Sequence, residues 1–247
     1  IPDLIWDQTL PFPLNHTWGY HDAATGNGRW DLYFKEMSRR YGEPVSMEDF
    51  CNKMQVMNAI GYQGIFEAAG HKLNDIGGVM LWKLNAAFPS VVWQVYDWYL
   101  QTNAGYYFMQ NACEPVHIQL NLATNKVTVL NRTYKPSPGL VAHADLYNMN
   151  SELLFHEEKK VSLGPSDVKE TSAIGPRLAK SKELVFVVLK LKNASGNTVS
   201  NNIYWISPDN NYSQMRGMKE TSVNIKITDE KKEKNDISWT MEISNPS

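Results

Sequence analysis

Apolar and polar positions along this chain follow two rhythms, and the change falls near Glu114-Pro115. Before it, Met47, Phe50, Met54, Met57, Ile60 and Ile65 recur at helical spacing, which predicts an amphipathic helix running to about Gly70. Ser46 stands where its hydroxyl can cap the first free amides, with Asp49 at the reciprocal capping position. The Met and Phe stripe reads as core packing. After the connection "HKLND" comes "IGGVMLWKL", a continuous apolar run of strand length. A strand apolar on both faces, directly after a long helix, points to a parallel sheet covered by helices. "AGYYFMQNACEP" predicts a further short helix, stopped by the restriction that Pro115 places on its predecessor.

After Pro115 the period becomes two. "VHIQLNL", "KVTVLNR", "LVAHADLYN", "LLFHEEKKVSL", "ELVFVVLKLKN" and "TVSNNIYWIS" alternate apolar and polar residues or carry a buried run. Clusters such as "YKPSPG", "GPSD" and "NASGN" separate them as turns. Short strands divided in this way predict an antiparallel β-sandwich of immunoglobulin type. "SVNIKITDEKKEKNDISWTMEISNPS" supplies one more hairpin. Two strands alone are marginal in water, so it reads as the opening of a further sandwich that the chain does not complete. The lead-in of about 45 residues before Ser46 is too long for a structureless loop in a compact domain, and the expectation is a chain truncated at both ends.

Composition narrows the function classes. Apolar residues make up 43% and charged residues 20%, with a formal net charge of −2. No global basic field is available to hold nucleic acid or an anionic membrane. The mixed-sign run "DEKKEKND" reads as a solvated turn, and no apolar run approaches the ~18 residues of a membrane helix. Cys51 and Cys113 show no metal-ligand spacing and read as a free, buried pair. No cofactor and no metal are expected. Sequons occur at Asn15, Asn131, Asn193 and Asn211.

Taken in order, "RYGEPVSMEDF", "GGVMLWKLN", "FPS", "WQVYD", "GYYFMQN", "EPVHIQ" and "NNIYWIS" resemble glycoside hydrolase family 2. The branch they are most similar to holds the exo-β-D-glucosaminidases and endo-β-mannosidases. The resemblance implies a mixed fold: the C-terminal portion of a (β/α)8 TIM barrel over residues 1–113, then an immunoglobulin-like antiparallel β-sandwich over 114–208. Residues 209–247 would begin a further sandwich. Gly77 to Leu84 would be the eighth barrel strand and Ser46 to Gly70 the seventh helix. The family's catalytic Glu pair would lie upstream of Ile1, so no catalytic carboxylate is assigned. Glu43, Glu48, Glu67 and Glu114 read as surface or capping groups.

Barrel sites sit at the C-terminal ends of the strands. There the resemblance makes Trp82 an aromatic platform for a sugar, against the alternative of an ordinary barrel-core Trp. A sugar ring offers an apolar C–H face to stack on indole, while its hydroxyls need directional partners. Asn85 is a partner for such a hydroxyl or serves its own turn. Asp97 accepts from a hydroxyl or caps the turn that follows it. Trp93, Tyr96 and Trp98 line the rim or pack the loop, and Trp18, Tyr20, His21 and Asp22 form a further polar-aromatic cluster. The implied function is part of a retaining β-glycosidase acting on β-linked glucosamine- or mannose-type sugars. Its partners would be an oligosaccharide or polysaccharide and the remainder of the parent enzyme, in a secreted or periplasmic setting. The rival reading is a non-catalytic carbohydrate-binding or spacer module.

Overall fold

The computed structural model describes residues 30–247, apart from 88, 91–93, 220, 235 and 246–247. The lead-in cluster Trp18, Tyr20, His21 and Asp22, the Asn15 sequon and Trp93 lie outside the described residues. The chain divides into two compact units, one ending at Ser213 and the other comprising Gln214–Ser247. Among the described residues, no helix is long and apolar enough to cross a membrane.

The described part of the first unit begins with helix α1 (Trp30–Tyr41), within the lead-in before Ser46. Phe34, Met37 and Tyr41 recur at three- and four-residue spacing, and Met37 packs fully buried against Phe50 of the next helix. Helix α2 (Met47–His71) follows the predicted span. The Ser46 hydroxyl accepts from the Asp49 amide at 3.1 Å, while the Asp49 carboxylate accepts from the Val45 amide at 2.9 Å. Met47, Met54 and Met57 pack with Phe34 around the Met37–Phe50 contact, as core. Helix α3 (Ala104–Ala112) ends three residues before Pro115. Cys51 and Cys113 are free thiols, but Cys113 is exposed rather than buried, because it caps the outer end of α3.

The sandwich is the apolar centre of this unit. Strands β1 (Val116–Asn121), β2 (Lys126–Asn131) and β5 (Asp167–Ala173) form one antiparallel sheet in the order β1-β2-β5. Strands β3 (Ser137–Tyr147), β4 (Leu153–Leu163), β6 (Val185–Lys192) and β7 (Thr198–Ile206) form the other, in the order β4-β3-β6-β7. Alternate residues point inward, so Ile118, Leu120, Val127, Val129, Ala142, Leu189 and their neighbours make one dry core between the sheets. A short helix, α4 (Gly175–Leu178), joins β5 to β6, and its Arg177 guanidinium lies 5.0 Å from the centre of the Phe155 ring. Asn131, one of the sequon residues, is fully buried and donates to the carbonyls of Lys135 and Gly164, so it is a structural turn residue.

The second edge of β1 needs partners for its amides. Side chains of β7 supply them: the Ser200 hydroxyl accepts from the Ile118 amide at 3.2 Å, and the Tyr204 hydroxyl from the Leu120 amide at 2.9 Å. The sandwich is thereby closed along that side without a continuous ladder.

The run Gly77–Leu84 forms no strand in this structure, contrary to the expectation of an eighth barrel strand. A central parallel strand exists only through ladders to two neighbours, and among the described residues none lies beside 77–83. No other part of a TIM barrel is visible in the described chain. The second unit is a hairpin, β8 (Asn224–Glu233) with β9 (Asp236–Ser244), as the pattern predicts. All of its described strand residues are exposed, including Ile225, Ile227, Trp239, Met241 and Ile243.

Candidate functional site

The four sequence-predicted residues lie between positions 82 and 98, outside the named helices and strands. Trp82 is 79% exposed, and its neighbours Met80 and Leu84 are 97% and 58% exposed. Three large apolar side chains at alternate positions therefore stand uncovered along this run. Asn85 forms an isolated parallel bridge with Tyr96, and Leu84 O accepts from the amides of Val95 and Tyr96 at 3.1 and 3.0 Å. These contacts bring the end of the apolar run beside the start of the aromatic loop.

Asp97 is committed to that loop. Its Oδ1 accepts from the amides of Tyr99 and Gln101, both at 2.8 Å, while Gln101 O accepts from the Asp97 amide. This carboxylate oxygen serves a tight turn, in which Leu100 takes a φ of 63°. The turn presents Trp98 and Tyr99 half-exposed. Beyond it, Tyr96 meets Tyr106 edge-on at 5.4 Å, and Tyr106 meets Tyr107 at 5.3 Å with rings near perpendicular. The arrangement offers aromatic faces to solvent with few free polar groups among them.

Helix α2 fixes this loop. The amides at the start of α3 need acceptors, and α2 provides two of them. Gln55 Oε1 accepts from Ala104 N at 2.7 Å and Asn58 Oδ1 from Gly105 N at 2.8 Å. Asn103 Oδ1 accepts from Tyr106 N, while its own Nδ2 donates to Gln94 O at 2.6 Å. A methyl at Gly105 would collide with Asn58 and Tyr62, so α3 approaches α2 as closely as it does only with glycine there.

The other end of α2 holds a polar cluster that sequence reasoning missed. Glu67, expected at the surface, is only 4% exposed. Its carboxylate accepts from the Tyr204 hydroxyl at 2.8 Å to each oxygen, from Asn202 Nδ2 at 2.6 Å and from Gln63 Nε2 at 3.1 Å. His117 places Nε2 at 3.7 Å from Glu67 Oε1 and Nδ1 at 2.9 Å from Glu114 Oε2. Burial works against the charged imidazole, but hydrogen bonds to Glu114 and Glu67 outweigh it and raise the His117 pKa. Burial, reinforced by the Glu67 charge, pushes the Tyr204 hydroxyl well up, so it stays a donor. Gln119 Nε2 donates to the Glu67 carbonyl at 2.8 Å. The signal available in the sequence was the polar pair Gln63 and Glu67, four apart on an otherwise apolar helix face. Side chains of α2 and β7 meet at this carboxylate, so the cluster joins the helix to the sandwich.

Comparison with known proteins agrees with this geometry. Residues 124–208 match the family described as "Mannosidase Ig/CBM-like domain". An exo-β-D-glucosaminidase of Amycolatopsis orientalis is 29% identical over 76% of this chain, which covers 19% of that protein. A mannosylglycoprotein endo-β-mannosidase of Lilium longiflorum is 28% identical over 90% of this chain and 23% of its own length. Among solved structures, the exo-β-D-glucosaminidase of Amycolatopsis orientalis superposes with a TM-score of 0.85 at 24% identity, covering 99% of this chain and 31% of that one. This chain thus spans about a fifth to a third of the length of these relatives. Residues 124–208 thus resemble a mannosidase Ig/CBM-like domain, and the chain as a whole is similar to exo-β-D-glucosaminidases and an endo-β-mannosidase.

Proposed function

We propose that this chain is part of a retaining glycoside hydrolase acting on β-linked glucosamine- or mannose-type sugars. In this reading residues 1–113 complete a TIM-barrel catalytic domain, 114–208 are the accessory sandwich and 209–247 begin another. The observation that carries it is the uncovered side of Gly77–Leu84. Met80, Trp82 and Leu84 expose apolar surface that water disfavours, at about 25 cal/mol per Å². Neighbouring barrel strands would cover such a segment and bring Trp82 to the mouth of the barrel. Trp82 then acts as the platform under a sugar, Trp98 as part of the rim and Asn85 as a hydroxyl partner. Asp97 supports the rim by holding the turn that carries Trp98. The acid and nucleophile carboxylates come from the preceding part of the barrel, and this chain alone hydrolyses no glycoside.

The test compares Trp82→Ala with Trp205→Ala in the longer enzyme, with an aryl β-glucosaminide and an aryl β-mannoside as substrates. Trp82→Ala is expected to lower kcat/KM at least about tenfold with little change in Tm, since a platform is used more fully in the distorted transition state. Trp205→Ala is expected to lower Tm and spare kcat/KM. Normal kcat/KM in folded Trp82→Ala makes Trp82 a packing residue. The rival reading, a non-catalytic carbohydrate-binding module, draws on the CBM-like description of residues 124–208. It is favoured if the chain alone binds glucosamine or mannose oligosaccharides through the sandwich with no dependence on Trp82.

A further inference from the structure

The outer face of the sheet containing β3 and β4 gathers four metal-ligating side chains that neither the aromatic loop nor the helix–sandwich seam uses. On β3, the core side chains are Ala142 and Ala144, so His143 and Asp145 point outward. In the antiparallel register His143 stands opposite Glu158, and Asp145 opposite His156. Two residues apart on each strand and directly opposed across the pair, the four occupy one square of the sheet surface. The sequence pattern is His-x-Asp on one strand of a hairpin and His-x-Glu on the other.

The geometry is that of a chelate. His143 Nδ1 lies 3.0 Å from Glu158 Oε1, and His156 Nε2 lies 3.4 Å from the same oxygen. Each of the three residues offers one ligand atom, and these atoms all lie within 4.8 Å of one another. Tetrahedral coordination with bonds of about 2.0–2.2 Å separates ligand atoms by roughly 3.3–3.5 Å, so the two histidine–glutamate edges are already near that spacing. The remaining edge, between the two imidazoles, is no longer than 4.8 Å. Asp145 completes the picture. Its Oδ1 accepts from His156 Nδ1 at 2.5 Å, which fixes the tautomer and leaves Nε2 turned toward Glu158. A carboxylate behind a ligating imidazole orients the ring and raises its basicity.

We propose that His143, His156 and Glu158 form a zinc-type metal site on the sandwich, with Asp145 as the residue that positions His156 and water in the fourth place. Two imidazoles and one carboxylate suit zinc and similar late transition ions, whereas magnesium and calcium take oxygen ligands. The position ties edge strand β4 to central strand β3 on the exterior of the fold. Lys190, opposite His143 on β6, and Lys160, two residues beyond Glu158, share this face and moderate the affinity.

The experiment is calorimetric titration of the metal-stripped chain with zinc chloride, with magnesium chloride as control. Cys113→Ser is present throughout to remove the exposed thiol. One equivalent of zinc and no magnesium is the expected uptake. His156→Ala and Glu158→Ala should each weaken zinc at least about tenfold, and Asp145→Asn by about 10–100-fold. Cobalt in place of zinc should give visible absorption bands that vanish in the His143→Ala/His156→Ala double variant. The residues lie on the outer face and Glu158 is more than half exposed, so Glu158→Ala keeps the test open should a histidine variant unfold. No zinc uptake by the unsubstituted chain, or an affinity equal to its own in the double variant and in Glu158→Ala, overturns the proposal.

Discussion

Residues 77–101 and residues 116–206 start from similar material, since both contain apolar runs punctuated by polar turns, yet they reach opposite states. In the sandwich every run finds a ladder and a facing layer within the chain, and Leu189 and Leu191 become fully buried. In the aromatic stretch, Met80, Trp82 and Leu84 find neither. The difference lies in partners and not in local propensity. A run apolar on both faces needs neighbours on both sides and on both faces, which is the requirement most easily left unmet.

The two regions meet through α2, and the largest expected effect tests that link. Glu67→Ala leaves the Tyr204 hydroxyl, Asn202 and His117 buried without their common acceptor. It should lower stability by about 3–5 kcal/mol, read as a fall in the urea midpoint of the first unit. Trp205→Ala comes next. Trp205 is only partly buried and donates through Nε1 to the Tyr41 hydroxyl at 3.2 Å, so a loss of about half the ~3–5 kcal/mol of a buried Trp is expected.

A smaller effect should appear with pH. The folded-state pKa of His117 is raised, so its contribution is fully present below the unfolded value of about 6.5 and is lost as pH rises through the folded pKa. The urea midpoint should therefore decline from about pH 6.5 upward, and His117→Gln should flatten that slope. His71, whose pKa burial depresses, acts below about pH 6.5 with the opposite sign. The smallest effect sharpens the contrast. Trp82→Ala in this chain alone should shift stability by no more than about 0.5 kcal/mol, because the indole is uncovered. A loss comparable to that of Trp205→Ala would show that Trp82 is already packed.

Legibility followed the same division. Six sandwich strands stood out by their period of two, whereas β5, "DVKETSA", carries too few apolar residues for alternation to show. Helix α1 was hidden among aromatic residues of the lead-in, although Phe34, Met37 and Tyr41 keep helical spacing. The cap at Ser46 was readable because a cap is local. Glu67 was not, because a carboxylate belongs in water by default, and the side chains that receive it lie 135 and 137 residues away. The turn that uses Asp97 was one of two readings open to the sequence, and its hydrogen bonds span only two and four residues.

The seam at Gln63 and Glu67 bears on how such modules can be inherited. A sandwich cut free of α2 and spliced into another protein would carry His117, Asn202 and Tyr204 on a newly opened surface, shaped for a helix that is no longer there. A replacement helix would need a carboxylate at one position and, one turn later, a residue as small as Gly70, where an added methyl would come within 3.0 Å of Arg132, Gln119 and Leu130. Recombination at the apparent boundary near Pro115 therefore separates parts that have to travel together. The smallest transferable piece is the sandwich with its helix.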